Sequence, residues 1–206
     1  MHDETCGNRL DDKCHGKVYV ALLHYPVYNK NKNVIVTALT NLDVHDIARA
    51  AKTYGVERFY VVTPSPSQHR LLGRILQHWI SGVGGEYNPI RKEALKLVDS
   101  AFTLEEVIDN VFERDGKKPL VVLTSARKSE RVISFDELRE QIKVGSNILL
   151  IFGTGWGLAK EVFNSADFLL EPIYGIGDYN HLAVRSAVAI ILDRLLGRGS
   201  FGQIEI

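Results

Sequence analysis

The segment Asn147-Ile148-Leu149-Leu150-Ile151-Phe152 constrains the fold more than any other part of the chain. Its unbroken apolar run leaves no polar face, and successive side chains of a strand point to opposite sides. Such a strand must be covered on both faces. Lys17–Leu23 and Pro119–Thr124 have the same character, and Asn33–Leu39 reads as another buried strand. Glu57–Thr63 and Asp167–Leu170 predict shorter ones. Between them the apolar spacing turns helical. Asp43–Tyr54 sets Val44, Ile47, Ala48 and Ala51 on one side and is closed by Gly55. Gln68–Ile80 is a second helix, followed by a glycine-rich break at Ser81–Gly85 and a helix over Pro89–Val98. Thr103 with Glu106, and Ser134 with Glu137, read as capping boxes opening Leu104–Arg114 and a short helix to Lys143. Asn180–Leu196 predicts a long, nearly all-apolar helix. Alternating strands and helices, with strands apolar on both faces, specify an α/β domain: a mostly parallel sheet covered by helices on both sides.

Charge narrows function less than it narrows fold. Among 206 residues, 25 Lys and Arg balance 25 Asp and Glu, so net charge gives no argument for nucleic acid. An RNA or DNA partner has to be read from a local site. Residues 17–206 read as one domain behind a polar tail, 1–16, that holds both cysteines, Cys6 and Cys14. His2, Cys6, Cys14 and His15 match no usual zinc spacing, so no metal is expected. No apolar run is long enough for a membrane span, and the start lacks a signal region, which predicts a cytoplasmic protein.

In parallel sheets ligands bind beyond the carboxyl ends of the strands, and three such ends stand out. The first is Leu123-Thr124-Ser125-Ala126. The second is Phe152-Gly153-Thr154-Gly155-Trp156-Gly157-Leu158, with glycines at alternate positions. The third runs Ile173-Tyr174-Gly175-Ile176-Gly177-Asp178-Tyr179-Asn180-His181. Alternate glycines let a ligand approach main-chain groups closely. The pattern is neither a Walker A loop nor a dinucleotide turn. Asp178 is the one acid in these loops, so they suit a nearly neutral nucleoside better than a polyphosphate. Leu158, Ile173 and Leu182 supply apolar walls. Adenosylmethionine, with one sulfonium and no phosphate, fits better than NAD or ATP.

The stretch from Thr40-Asn41-Leu42-Asp43 through Arg49 to Tyr54-Gly55-Val56 resembles the first motif of the SpoU branch of the SPOUT (α/β-knot) RNA methyltransferases. Leu150–Leu158 resembles the second motif of that superfamily, and Tyr174–Ile190, with Asn180-His181-Leu182-Ala183-Val184-Arg185-Ser186, the third. The resemblance implies a trefoil knot near the C-terminus, a homodimer, and transfer of a methyl group to tRNA or rRNA. It implies an adenosylmethionine pocket built from Leu123, Thr124, Ser125 and Ala126; from Phe152, Gly153, Thr154, Gly155, Gly157 and Leu158; and from Ile173, Tyr174, Gly175, Asn180, Leu182 and Ser186. The chain departs from the 2′-O-methylating branch, which usually carries a Glu where Gly155 or Trp156 stands and Ser-Leu-Asn where His181-Leu182-Ala183 stands. Asn180-His181 is closer to the guanine-N1 branch. Ribose 2′-oxygen and base nitrogen are both open as acceptors.

Arg49, His181 and Asp178 are the candidate catalytic residues. A guanidinium stays charged at neutral pH, so Arg49 suits gripping a phosphate or stabilising a developing oxyanion rather than acting as a base. His181, at the expected start of the last helix, is a base or a structural hydrogen-bonding residue, and Asp178 is a base or a turn residue. Asn41 orients substrate or caps its helix, the cap being favoured. Arg70, Arg74, Arg91 and Lys92, interleaved with His69, His78, Trp79 and Tyr87, are either an RNA-contacting segment or a solvated helix face with Trp79 in the core. Two rivals remain: an RNA-binding or assembly factor of the same fold without turnover, and another nucleotide-binding α/β enzyme such as an oxidoreductase or ligase.

Overall fold

Val18, Val20 and Leu22 pack into one hydrophobic cluster, while Tyr19, Ala21 and Leu23 pack into another. That alternation makes the strand they form, β1 (Val18–Leu23), the partition between two helical layers. In the computed structural model, residues 15–126, 132–177 and 179–197 are described. Asp178 and the Cys6/Cys14 stretch lie outside them. Gly16 is already docked on the domain, its N–H donating to the Ile142 carbonyl at 2.7 Å.

The elements after β1 are β2 (Val27–Tyr28), β3 (Val34–Ile35), α1 (Asn41–Thr53), β4 (Arg58–Val62), α2 (Pro66–Leu76), α3 (Val83–Tyr87), α4 (Pro89–Leu95) and β5 (Val98–Ala101). There follow α5 (Leu104–Asp115), β6 (Leu120–Leu123), β7 (Val132–Ile133), α6 (Phe135–Lys143), β8 (Ile148–Gly153), β9 (Phe168–Leu170) and α7 (Val184–Leu196). Among the described residues, seven strands form one sheet in the order β5-β4-β1-β8-β6-β9-β7, every pair parallel. Val44, Ile47, Ala48 and Ala51 of α1 cover one face with Leu138 of α6 and Val188, Ile191 and Leu192 of α7; Val107 and Val111 of α5 cover the other.

Four expectations need correction. Residues 33–39 do not form a buried strand: Val34 is exposed, and β3 only pairs antiparallel with β2 in a hairpin outside the sheet. Val98, expected to end a helix, begins β5, because α4 stops at Leu95. The glycine-rich break contains the short helix α3. The last helix begins at Val184, with Ala183 in the capping position and no side-chain cap.

Of the two predicted capping boxes, one forms in full and the other only as a single N-cap. Ser134 and Glu137 make the reciprocal pair. Thr103 accepts from the Glu106 N–H at 3.1 Å, but the Glu106 carboxylate takes the Phe102 N–H instead, at 2.7 Å.

Candidate functional site: three loops at adjacent strand ends

Sheet order sets the site. β8, β6 and β9 are neighbours and all parallel, so the loops leaving their carboxyl ends emerge side by side. These are the three small-residue loops of the sequence. Thr124 fastens the first to the second, its N–H and hydroxyl both donating to the Ile151 carbonyl at 3.0 and 2.9 Å. Asn180 Nδ2 reaches the Ala126 carbonyl at 3.4 Å, tying the third loop to the first. Leu123 and Phe152 are fully packed in the core, which makes them supports of these loops rather than surfaces in them.

The second loop is shaped largely by the hairpin. Tyr28 N–H donates to the Gly157 carbonyl at 2.9 Å, Trp156 N–H donates to the Tyr28 carbonyl at 2.9 Å, and Ala159 N–H donates to the Pro26 carbonyl at 3.1 Å. Gly155 lies at φ +59°, and a Cβ there would sit 2.8 Å from the Tyr28 carbonyl oxygen. Its lack of a side chain is required by the hairpin. Gly157, at φ +101°, faces open space. At Gly153 a Cβ would sit 2.8 Å from Cγ of Leu158, which folds back over it.

The third loop carries exposed apolar groups, among them Tyr174, Ile176 and Leu182. Ile173 packs on the core, and Ser186 is exposed in the first turn of α7. His181 lies in this loop rather than at a helix start, with its ring against Tyr179 at 5.5 Å. Asp178 falls outside the described residues.

Arg49 is exposed on α1; its carbonyl accepts from the Thr53 hydroxyl at 2.9 Å, while its guanidinium makes no ion pair among the described residues. Its helix packs on α7: Arg185 approaches Asp43 at 3.5 Å and Asp46 at 3.4 Å, and Tyr54 donates to Asp193 at 3.0 Å. The helix that follows the third loop is thereby joined to the helix that carries Arg49. Asn41 is not the cap; Thr40 is, accepting from Asp43 N–H at 3.1 Å. Arg70 and Arg74 are exposed on α2, while Arg91 and Lys92 are half-buried on α4. His69 serves structure, between Ser100 at 3.0 Å and the Thr63 carbonyl at 2.8 Å.

Sequence reasoning missed a buried polar group where β1 and β8 end. His24 is fully buried, with Nδ1 3.1 Å from the Thr37 hydroxyl; that hydroxyl meets Thr154 at 2.5 Å, and Thr154 donates to the Leu23 carbonyl at 3.0 Å. Burial pushes the His24 imidazole down to about 4, against the opposing pull of the Asp43 carboxylate, so it is neutral at pH 7. A histidine directly after an apolar strand was the available signal. A separate cavity of about 300 Å³ opens at the ends of β1, β4 and β5, where Leu23, Pro64, Phe102 and Val162 meet Glu105 and Glu161. It shares no residue with the three loops, and its exposed carboxylates disfavour a phosphate backbone.

Residues 17–197 match the model of a family described as SAM-dependent RNA methyltransferase. An uncharacterised protein of Aquifex aeolicus is 45% identical over 182 residues, 88% of this chain and 89% of that protein. A tRNA (guanine-N(1)-)-methyltransferase of Oleidesulfovibrio alaskensis is 44% identical over 180 residues; the match takes in 87% of this chain but only 42% of that longer protein. Among solved structures, the SpoU methyltransferase AviRb from Streptomyces viridochromogenes, in complex with its cofactor AdoMet, superposes with a TM-score of 0.58 at 14% identity, covering 92% of this chain and 60% of that one. At that identity the likeness is one of fold.

Proposed function

The chain belongs to the SAM-dependent RNA methyltransferase family, and from that premise we propose that its three-loop crevice binds S-adenosylmethionine and delivers the methyl group to a tRNA or rRNA. One observation carries the reading. The crevice lies across three adjacent strand ends and offers main-chain groups and exposed apolar side chains, with no charged side chain among its described residues.

That donor set fits the cofactor. A ligand without phosphate needs no cationic cradle, and an adenine needs flat apolar walls with a few directed main-chain groups. Tyr174, Ile176 and Leu182 would line the adenine, with Ile173 and Leu158 behind them. Ser125, Ala126, Gly157, Gly175, Asn180 and Ser186 would supply polar contacts and close backbone approach, while Thr154, donating to the Leu23 carbonyl, and Gly155, packed on the Tyr28 carbonyl, would hold the second loop in shape.

The bound cofactor supplies an electrophilic methyl group on a sulfonium. The chain's own part is to align the accepting RNA atom with it and to manage one proton and one developing charge. Arg49 is our residue for the charge, since its fork of donors is exposed and unpaired. His181 is our proton acceptor, with Asp178 as the alternative. The working unit is a homodimer with a knotted chain path, in keeping with the SPOUT resemblance. The tRNA activity named for the O. alaskensis relative makes tRNA the first substrate to assay.

Calorimetry tests the reading directly. S-adenosylmethionine and S-adenosylhomocysteine should bind in the micromolar range (about −8 kcal/mol at 1 μM), with ATP and NAD far weaker. Equal affinity for ATP or NAD would overturn it in favour of another nucleotide enzyme.

A further inference from the structure

His24, Thr37 and Thr154 meet at the carboxyl end of β1, and each carries a single side-chain polar hydrogen. The Leu23 carbonyl can only accept, and it takes the hydrogen of the Thr154 hydroxyl at 3.0 Å. Thr154 Oγ is left to accept across its 2.5 Å contact with Thr37, which uses the hydrogen of the Thr37 hydroxyl. Thr37 Oγ can then only accept from His24 Nδ1, 3.1 Å away. The His24 carbonyl is a poor rival for the Thr37 hydroxyl: it stands farther off, at 3.3 Å, and already receives the Thr37 N–H at 2.9 Å. On the other side of the ring, Nε2 is buried and meets no acceptor among the described residues, so nothing there holds a proton. The imidazole is therefore the Nδ1–H tautomer, and the donors run one way, from His24 through Thr37 and Thr154 to Leu23.

That chain ends on the glycine loop. The Thr154 carbonyl accepts from the Gly157 N–H at 3.1 Å, so the residue held by Thr37 also closes the turn over 154–157. A Cβ on Gly155 would sit 3.3 Å from the Thr37 methyl. Thr37 thus meets two successive loop residues, Thr154 with its hydroxyl and Gly155 with its methyl. Gln68 of α2 fixes Thr37 from behind: its amide donates to the Thr37 carbonyl at 2.9 Å and accepts from the Leu39 N–H at 2.5 Å. The next residue, Thr40, caps α1, the helix that carries Arg49. The stretch 37–40 is therefore fastened along its length between the glycine loop and α1.

Resting on the cofactor reading of the three loops, we propose that His24 and Thr37 are positioning residues of that site: the Nδ1–H tautomer of His24 aims the Thr37 hydroxyl at Thr154, and Thr154 holds the 154–157 turn in the shape the cofactor meets. Neither residue touches the cofactor. A hydroxyl can rotate and donate in more than one direction. A buried ring N–H behind it removes that choice and polarises every bond of the chain in the same sense. Because Thr37 leads directly into the cap of α1, the same stretch sets the cofactor loop against the helix of Arg49.

The tautomer is read from the His24 ring nitrogens by long-range proton–nitrogen correlation spectra of the full chain at neutral pH. Nδ1 should be of the protonated type and Nε2 of the bare type; the reverse pattern would overturn the proposal, whether or not any variant folds. S-adenosylhomocysteine affinity, measured with the thermal midpoint, then separates hydrogen bonding from packing. Thr37→Val keeps the methyl beside Gly155 but loses the hydroxyl, and should weaken binding about 10-fold. Thr37→Ser keeps the hydroxyl but loses the methyl, and should stay within about 3-fold of wild type. His24→Leu should match Thr37→Val, and His24→Asn should recover part of the loss, because its amide can donate from near the place of Nδ1. The double variant His24→Leu/Thr37→Val should lose little beyond either single change. Normal binding by Thr37→Val with loss in Thr37→Ser would make Thr37 a packing residue, and fully additive losses would show that His24 does not act through it; either result overturns the proposal. A wild-type protein that shows the expected tautomer but binds no S-adenosylhomocysteine would overturn the cofactor reading itself.

Discussion

Arg185 Nε lies 3.4 Å from Asp46 Oδ2, joining the first turn of α7 to the middle of α1. The same guanidinium stands 3.5 Å from Asp43, whose side chain is only 10% exposed. Because α7 follows the third loop directly, this clamp sets how that loop enters the helix.

Arg185→Ala should therefore affect ligand binding more than stability. The arginine is 39% exposed, so screening keeps the pair itself to about 0–1 kcal/mol. The inner carboxylate retains the Thr40 hydroxyl at 2.6 Å. Urea unfolding should report a loss within about 1 kcal/mol, while calorimetry should report a clear loss of S-adenosylhomocysteine affinity. Normal affinity in a folded variant would show that the clamp does not position the loop.

His24 predicts a pH dependence of stability. Its folded value of about 4 lies below the unfolded value of about 6.5, so the unfolded chain binds the extra proton first. Stability from this group is complete above pH 6.5, falls as pH drops through the interval, and is gone below pH 4. The full span is worth about 3 kcal/mol at most. Urea midpoints at pH 7 and pH 5 should differ in wild type and differ less in His24→Gln. An identical pH slope in the variant would place the titrating group elsewhere.

The sequence disclosed the layers of the fold better than its edges. Ile148–Gly153 and Val18–Leu23 were legible because strands covered on both faces must be apolar throughout. Val98–Ala101 was not, because β5 is an edge strand whose Val-Asp-Ser-Ala exposes Asp99 and carries no such run. Val34-Ile35-Val36 looked like core, yet Val34 and Ile35 only pair with Tyr28 and Val27, the strand whose backbone holds the glycine loop. The three loops were legible from their small residues. The His24–Thr37–Thr154 group was not, since it exists only because β1 and β8 are neighbours, which no local pattern states. The start of α7 was misplaced for a similar reason: Asn180 is held by the Ala126 carbonyl, a contact 54 residues distant, and so does not begin the helix.

Gly155 and Gly157 should separate fold from binding. Gly155→Val places branched methyls against the Tyr28 carbonyl at a left-handed backbone, and should cost about 1–3 kcal/mol through strain alone, with hairpin displacement added. Gly157→Ala meets no neighbouring atom, so its cost is conformational strain of the same order without a clash. Its methyl would enter the open space beside the second loop, which the proposed function assigns to the cofactor. Thermal unfolding should show Gly155→Val much the more destabilised. Calorimetry on the folded Gly157→Ala protein should show S-adenosylhomocysteine binding weakened at least 10-fold. Unaltered binding by that variant would move the cofactor away from the second loop.

Arg49 gives the sharpest division between stability and turnover. The core face of α1 is already filled by Val44, Ile47, Ala48 and Ala51, and Arg49 lies outside that stripe, exposed. Surface substitutions of this kind usually stay within about 0.5 kcal/mol, so Arg49→Ala should keep its thermal midpoint and its cofactor affinity. A group acting on charge in the transition state is worth on the order of 10²-fold or more in rate. Modified-nucleoside levels in RNA from deletion cells complemented with Arg49→Ala should therefore fall to a small fraction of the wild-type level. Arg49→Lys should restore part of them, because an ammonium keeps the charge without the planar fork. His45 supplies an internal control: with one flanking guanidinium removed, its imidazole should titrate at higher pH in Arg49→Ala, since Arg49 is one of the groups holding it down. Full complementation by Arg49→Ala, with the His45 shift present, would show an arginine that colours its surroundings electrostatically but takes no part in methyl transfer, and would leave His181 and Asp178 as the residues to vary next.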